Sequence, residues 1–140
     1  MAVLFGANTA PRGQTPVGQM DGSQQGGNVR VYREIITLAA QTTADTIVVA
    51  YPSKGESFLR GVLTASVSLG TSTVAIGVAG ATGKYRTAGV FTATDTPTLF
   101  GNAAVMATKL AADEAVFITI GTANLPASGT LIVDLYFAQS

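Results

Sequence analysis

The run Leu131-Ile-Val-Asp-Leu-Tyr-Phe137 decides the fold class. Leu131, Val133, Leu135 and Phe137 fall on one side of an extended chain, with Ile132, Asp134 and Tyr136 on the other. Successive side chains of a strand point to opposite faces, so this two-residue period predicts a strand with one face in a core. The same signature recurs upstream. Val116, Ile118 and Ile120 form one face, and Val74, Ile76 and Val78 alternate with Ala75 and Gly77. Phe58 to Leu69 sets Leu59, Leu63, Val67 and Leu69 against Arg60, Thr64, Ser66 and Ser68. Thr46 to Tyr51 is an apolar run halted by Pro52, with Ser53-Lys54-Gly55 as a loop. Val29 to Leu38 places Val29, Val31 and Ile35 opposite Arg30, Tyr32 and Glu34, and Tyr85 to Thr92 adds another strand after a turn at Gly80-Ala-Thr-Gly83.

Seven or eight short strands, without a convincing amphipathic helix, predict an all-β antiparallel sandwich or small barrel over residues 29–140. One segment is ambiguous. Asn102 to Ala112 (NAAVMATKLAA) is rich in helix formers; strand plus loop is the default reading, and one or two helical turns the alternative.

Residues 1–28 differ in kind. They contain six Gly, four Gln, two Pro and two charges, Arg12 and Asp21, with no periodic apolar pattern. Such a segment buries too little apolar surface to offset its ordering entropy, so it is expected to be mobile in isolation, either as a frayed terminus or as an extended arm that orders when it reaches a partner. Val3, Leu4 and Phe5 make an apolar tip that suits ordering against a partner.

The residue types that are missing restrict function. The 140 residues include no His, no Cys and no Trp, and 8 Lys+Arg balance 8 Asp+Glu. No imidazole base or metal ligand is available, and no thiolate for nucleophilic, zinc or disulfide chemistry. Zero net charge removes the electrostatic case for direct nucleic-acid binding. No cofactor is expected. The start, MAVLFGANTAPRG, lacks the basic and apolar regions of a signal peptide.

Three motifs invite a chemical reading and fail it. The 23 residues between Arg60 and Lys84 carry no charge, but their seven Ser/Thr, five Gly and alternating apolar residues fit two antiparallel strands joined near Gly70-Thr71, not a membrane span. Gly77-Val-Ala-Gly-Ala-Thr-Gly-Lys84 has Val78 and Tyr85 where a phosphate-binding loop needs Gly and Ser/Thr, so a glycine turn is expected. Among the carboxylates, Glu34 and Asp134 are expected on solvent-facing sides of strands. Asp113-Glu114 lacks the spacing of a calcium loop and reads as a loop cap.

Charged residues are only 11%, and Ala, Gly and Thr supply 57 of the 140 residues. Surfaces so poor in charge lack the usual repulsion between molecules, so the chain reads as part of an assembly and not as an enzyme.

Leu69-Gly-Thr-Ser-Thr-Val-Ala-Ile-Gly77, Ala81-Thr-Gly-Lys-Tyr-Arg86, Phe91-Thr-Ala-Thr-Asp-Thr-Pro-Thr-Leu-Phe100 and Leu125-Pro-Ala-Ser-Gly-Thr-Leu131 carry a resemblance. By these runs, and by its length, the chain resembles the capsid cement (decoration) proteins of tailed bacteriophages, that of a Bordetella-infecting short-tailed phage among them. The resemblance implies an eight-stranded jelly roll on the outer surface of the phage head, made in the host bacterial cytoplasm. It implies an HK97-like major capsid protein as partner, and self-association as a dimer or trimer. It supplies no catalytic residues. Val3, Leu4, Phe5 and Arg12 are the expected capsid contacts. The alternative is a host-receptor-binding or tail-fibre β-sandwich module, which would want exposed aromatic side chains for a glycan.

Overall fold

Leu131, Val133, Leu135 and Phe137 are fully buried, and the strand that carries them sits between two others. In the computed structural model, which describes residues 28–139, the strands are β1 (Asn28–Thr37), β2 (Thr46–Ala50), β3 (Ser57–Ala65), β4 (Thr73–Val78), β5 (Ala81–Val90), β6 (Thr98–Phe100), β7 (Val116–Gly121) and β8 (Thr130–Gln139). A single helical turn, α1 (Ala103–Met106), lies between β6 and β7. One sheet has the order β1-β8-β3-β6 and the other β2-β7-β4-β5, with every neighbour antiparallel.

The pairs β1–β8, β2–β7, β3–β6 and β4–β5 nest as if one long hairpin, turning between β4 and β5, had been rolled up. That is the jelly roll, and it agrees with the expected eight-stranded sandwich. The turn is tighter than the sequence suggested. It occupies Ala79-Gly80, with Gly80 at φ +81°, so β5 starts at Ala81 instead of Tyr85. The uncharged stretch between Arg60 and Lys84 also differs from expectation. Its two strands, β3 and β4, belong to opposite sheets, and Ser66–Ser72 crosses the sandwich between them.

The core is the contact between the two inner faces. Leu63, Leu131, Val133 and Leu135 from one sheet meet Val74, Ile76, Ile118 and Ile120 from the other. Phe58, Tyr85 and Phe137 interlock edge to face at one end, with ring centroids 4.8 to 5.9 Å apart. Tyr32 adds a fourth ring, at 88° and 5.5 Å from Phe137. Edge-to-face contacts of this kind add about 0.5–1.5 kcal/mol each beyond burial.

β1 reverses the sequence reading. Its core side carries Tyr32, Glu34 and Ile36, while Val29, Val31 and Ile35 are 57%, 52% and 59% exposed. The register explains the reversal: Val31 lies beside Tyr136 and Ile35 beside Ile132, both on the outward side of β8. Tyr32 reaches the interior because its hydroxyl finds a carboxylate there, 2.9 Å from both oxygens of Glu56.

β6 was not anticipated. It pairs with β3 through Gly61 opposite Phe100, where any Cβ on residue 61 would overlap the Phe100 ring. The Asn102–Ala112 segment resolves to its helical alternative over one turn. Asn102 caps α1 by accepting the Ala104 N–H at 3.1 Å, and the chain leaves the helix at Ala107.

Candidate interaction surface

The shielded charged groups are the first place to look for chemistry, and Glu56, Glu114 and Arg86 are committed to holding the fold; the buried Ser72 and Thr119 hydroxyls make no hydrogen bond. Glu56 is 1% exposed and accepts hydrogen bonds from the Tyr32 hydroxyl and the Ser53 N–H, with the Arg30 guanidinium 4.0 Å away. Glu114 accepts from the Tyr85 hydroxyl at 2.6 Å and pairs with the Lys84 ammonium. Burial, reinforced by Glu114, pushes the Tyr85 phenol far above its ordinary range. The Arg86 guanidinium donates to the carbonyls of Val74, Gly89 and Val90, and desolvation lowers its pKa.

Asp113 accepts the Lys54 N–H at 2.8 Å, which is the loop-capping role expected of it. Among the described residues no three His, Cys, Asp or Glu side chains gather as a metal cluster. Gly77 to Lys84 forms the β4–β5 hairpin, as the glycine-turn reading expected.

The outward side of the β1-β8-β3-β6 sheet is different in character. Its rows are set by the register: Val29 beside Ala138, Val31 beside Tyr136 and Arg60, Arg33 beside Asp134 and Val62, and Ile35 beside Ile132 and Thr64. Leu99 on β6 continues the Asp134–Val62 row and is 67% exposed. Period-2 alternation puts these side chains on one face, so the sheet shows apolar residues outward as well as inward.

Two of the three charges on this face neutralise each other, and the third, Arg60, rests on an aromatic ring. Arg33 grips Asp134 with two parallel hydrogen bonds, Nε to Oδ1 at 2.6 Å and Nη2 to Oδ2 at 2.8 Å. That contact raises the Arg33 pKa and leaves Asp134, expected to face solvent, only 5% exposed. The Arg60 guanidinium lies 4.4 Å over the Tyr136 ring. At the β6 end, Leu59, Leu99, Phe100, Gly101 and Met106 frame a shallow groove beside Arg60. A face that exposes Val29, Val31, Ile35 and Leu99 together is the usual mark of a contact surface.

The expected contact residues Val3, Leu4, Phe5 and Arg12 lie outside the described residues. The apolar sheet face was not anticipated as a surface. Its signal was present in Val29, Val31 and Ile35, but alternation reveals that a strand has two faces and not which of them is inward.

No family model matches the sequence, and no curated protein matches it closely enough to identify a relative. Solved structures do share its fold. A chain of the cyanophage Pam1 capsid asymmetric unit is 21% identical with a TM-score of 0.67, over 81% of this chain and 86% of that one. A chain in the capsid of Ralstonia phage GP4 is 17% identical with a TM-score of 0.63, over 81% and 86%. A chain in the acid-stable capsid of Helicobacter pylori bacteriophage KHP30 is 11% identical with a TM-score of 0.58, over 80% and 89%. At these identities the likeness is one of fold: this chain adopts a jelly roll that chains of three phage capsids also adopt.

Proposed function

We propose that the protein is a structural component of a phage head that binds the outside of the shell and cements neighbouring capsomers. The observation that carries this reading is that three solved chains sharing the fold, over four-fifths of this chain, belong to phage capsids. The commitment of every buried carboxylate to a structural contact supports a non-catalytic role, as does the absence of His and Cys. The resemblance to tailed-phage cement proteins, the Bordetella-phage protein among them, supplies the HK97-like major capsid protein as partner.

The mechanism is linkage. A protein that binds only the expanded shell stabilises it by RT ln(1 + [L]/Kd) at each site, and the increments accumulate over the sites of a head. Packed DNA presses outward, so clamps across capsomer seams oppose the separation that precedes rupture. Attachment through a small oligomer raises avidity without strong individual contacts. The residues ahead of β1, with Val3, Leu4, Phe5 and Arg12 as contacts, form the part of the chain assigned to reach across a seam, since an extended chain spans about 3.3–3.6 Å per residue.

A glycan-binding module would present clustered aromatic rings. Tyr51, 69% exposed, stands alone as an exposed aromatic side chain among the described residues. Co-sedimentation with expanded heads tests the proposal directly: saturable retention supports it, and retention on host polysaccharide instead of heads would replace it.

A further inference from the structure

A sheet in a sandwich has two edges, and three of the four edges here are blunted. β6 is three residues long and follows Pro97. β2 is five residues long, has a register break between Val48 and Ala50, and ends just before Tyr51-Pro52. β5 breaks register with β4 twice, and its Arg86 guanidinium occupies the carbonyls of Gly89 and Val90. Short strands, proline and bulges are devices that keep an edge from pairing with another chain.

β1 has none of them. It runs ten residues without proline, its register against β8 is continuous from Asn28 to Thr37, and no described strand pairs with its other edge. Val29, Val31 and Ile35 stand exposed along it. Such an edge offers a row of backbone donors and acceptors together with an apolar face, as a strand prepared for a partner strand does.

The charges on β1 select the partner. Opposed residues of an antiparallel pair lie on the same face, so two copies of β1 can pair about a two-fold axis only in registers that keep odd-numbered residues opposite odd-numbered ones. A register centred on Tyr32 places Arg30 opposite Glu34, and by symmetry does so twice. It also places Val29 opposite Ile35 and Val31 opposite Arg33. Centring on Arg33 or on Glu34 would set like charges face to face, and centring on Val31 leaves Arg30 opposite Tyr32 and Glu34 opposite Asn28. Glu34 has no ion-pair partner within the chain among the described residues; Arg33 is held by Asp134 at 2.6 Å, whereas Arg30 stands 4.0 Å from Glu56, half-exposed and within reach of a second carboxylate.

We infer that two copies of this chain associate by antiparallel pairing of their β1 edges about Tyr32, joining the two outer sheets into one eight-stranded sheet. The inference deepens the self-association in the proposed function by naming the surface. It is isologous, as the commonest closed dimers are.

The chain has no cysteine, which permits a clean test with the full-length protein. Val29→Cys and Ile35→Cys are prepared separately, mixed, left to exchange subunits and mildly oxidised. In the Tyr32-centred register residues 29 and 35 of opposite copies face each other at about 4.5–5.5 Å between Cα atoms, within disulfide range. Identical positions lie about 20 Å apart, six residues along the strand. A disulfide-linked dimer forming in the mixture but in neither variant alone is the predicted result. A Glu34→Arg variant, with arginines opposed, is predicted to raise the dimer Kd by about tenfold.

A particle of the 14.2 kDa monomer mass in solution would overturn the inference, as would a dimer that fails to cross-link in the mixture. Slow amide exchange along β1 in such a monomer would assign the edge to another segment of the same chain. Because the readout involves no capsid, a monomer that still decorates heads would defeat this interface and leave the cementing role standing. A β1-paired dimer that ignores heads would do the reverse.

Discussion

Arg33 and Asp134 face each other across the β1–β8 ladder, fork to carboxylate, with the carboxylate 5% exposed and the guanidinium largely in solvent. The pair sits in the middle of a largely apolar face and closes off its central charges. Removing the arginine would leave a shielded carboxylate without its cation, which is the costly way to break such a pair. Arg33→Ala is predicted to lower the melting temperature. Arg33→Lys is predicted to recover only part of the loss, because an ammonium cannot present two parallel donors. Calorimetry on the two variants checks the order.

Tyr85 makes the clearest pH prediction. Its phenol is buried and donates to a carboxylate, so its pKa in the fold lies above the ordinary 10.0. The unfolded chain ionises near that ordinary value while the folded chain resists. Stability from this group is therefore complete below pH 10 and falls as the pH rises further. Tyr85→Phe is predicted to cost about 1.5–3 kcal/mol at neutral pH, the range for a hydrogen bond to a charged group, and to flatten the alkaline limb. Urea titrations at several pH values read both effects.

Gly61 is predicted to be intolerant of any side chain. A Cβ there would overlap the Phe100 ring, so the ring would have to leave its place over β3. Gly61→Ala should cost about 1–3 kcal/mol, the usual range for overpacking, and should loosen β6 before the rest of the fold. Hydrogen exchange resolved along Thr98–Phe100 would record the local loss.

Leu99 separates contact from stability. It is 67% exposed on the outward sheet face beside the groove at Met106. Leu99→Lys is predicted to change folding stability by less than about 0.5 kcal/mol, as exposed substitutions do, while weakening retention on expanded heads. Equal retention of variant and parent would show that this end of the face does not touch the head.

The sequence was most legible where one face is wholly apolar and the other mixed. β8 fits that description, and its four inward residues are the ones the two-residue period selects. β1 misled because both its faces have apolar members, and the deciding term, a Tyr32–Glu56 hydrogen bond between residues 24 positions apart, has no local signature. β6 is too short to show a period, and its existence depends on the missing side chain of Gly61 on another strand. Asp134 was expected in solvent. Its partner is 101 residues away, and only the cross-strand register brings the two together.

The contact surface was legible in composition and not in position. Low charge pointed to an assembly, but which of the four sheet edges is open depends on bulges, proline placement and strand length read together in the fold.

The most direct measurement is co-sedimentation of the purified protein with expanded phage heads, followed by heating of the heads with and without it. The account predicts saturable binding and a raised disruption temperature, with both diminished when residues 2–27 are deleted. A protein that does not bind expanded heads, or binds without shifting their disruption temperature, would contradict the cementing role.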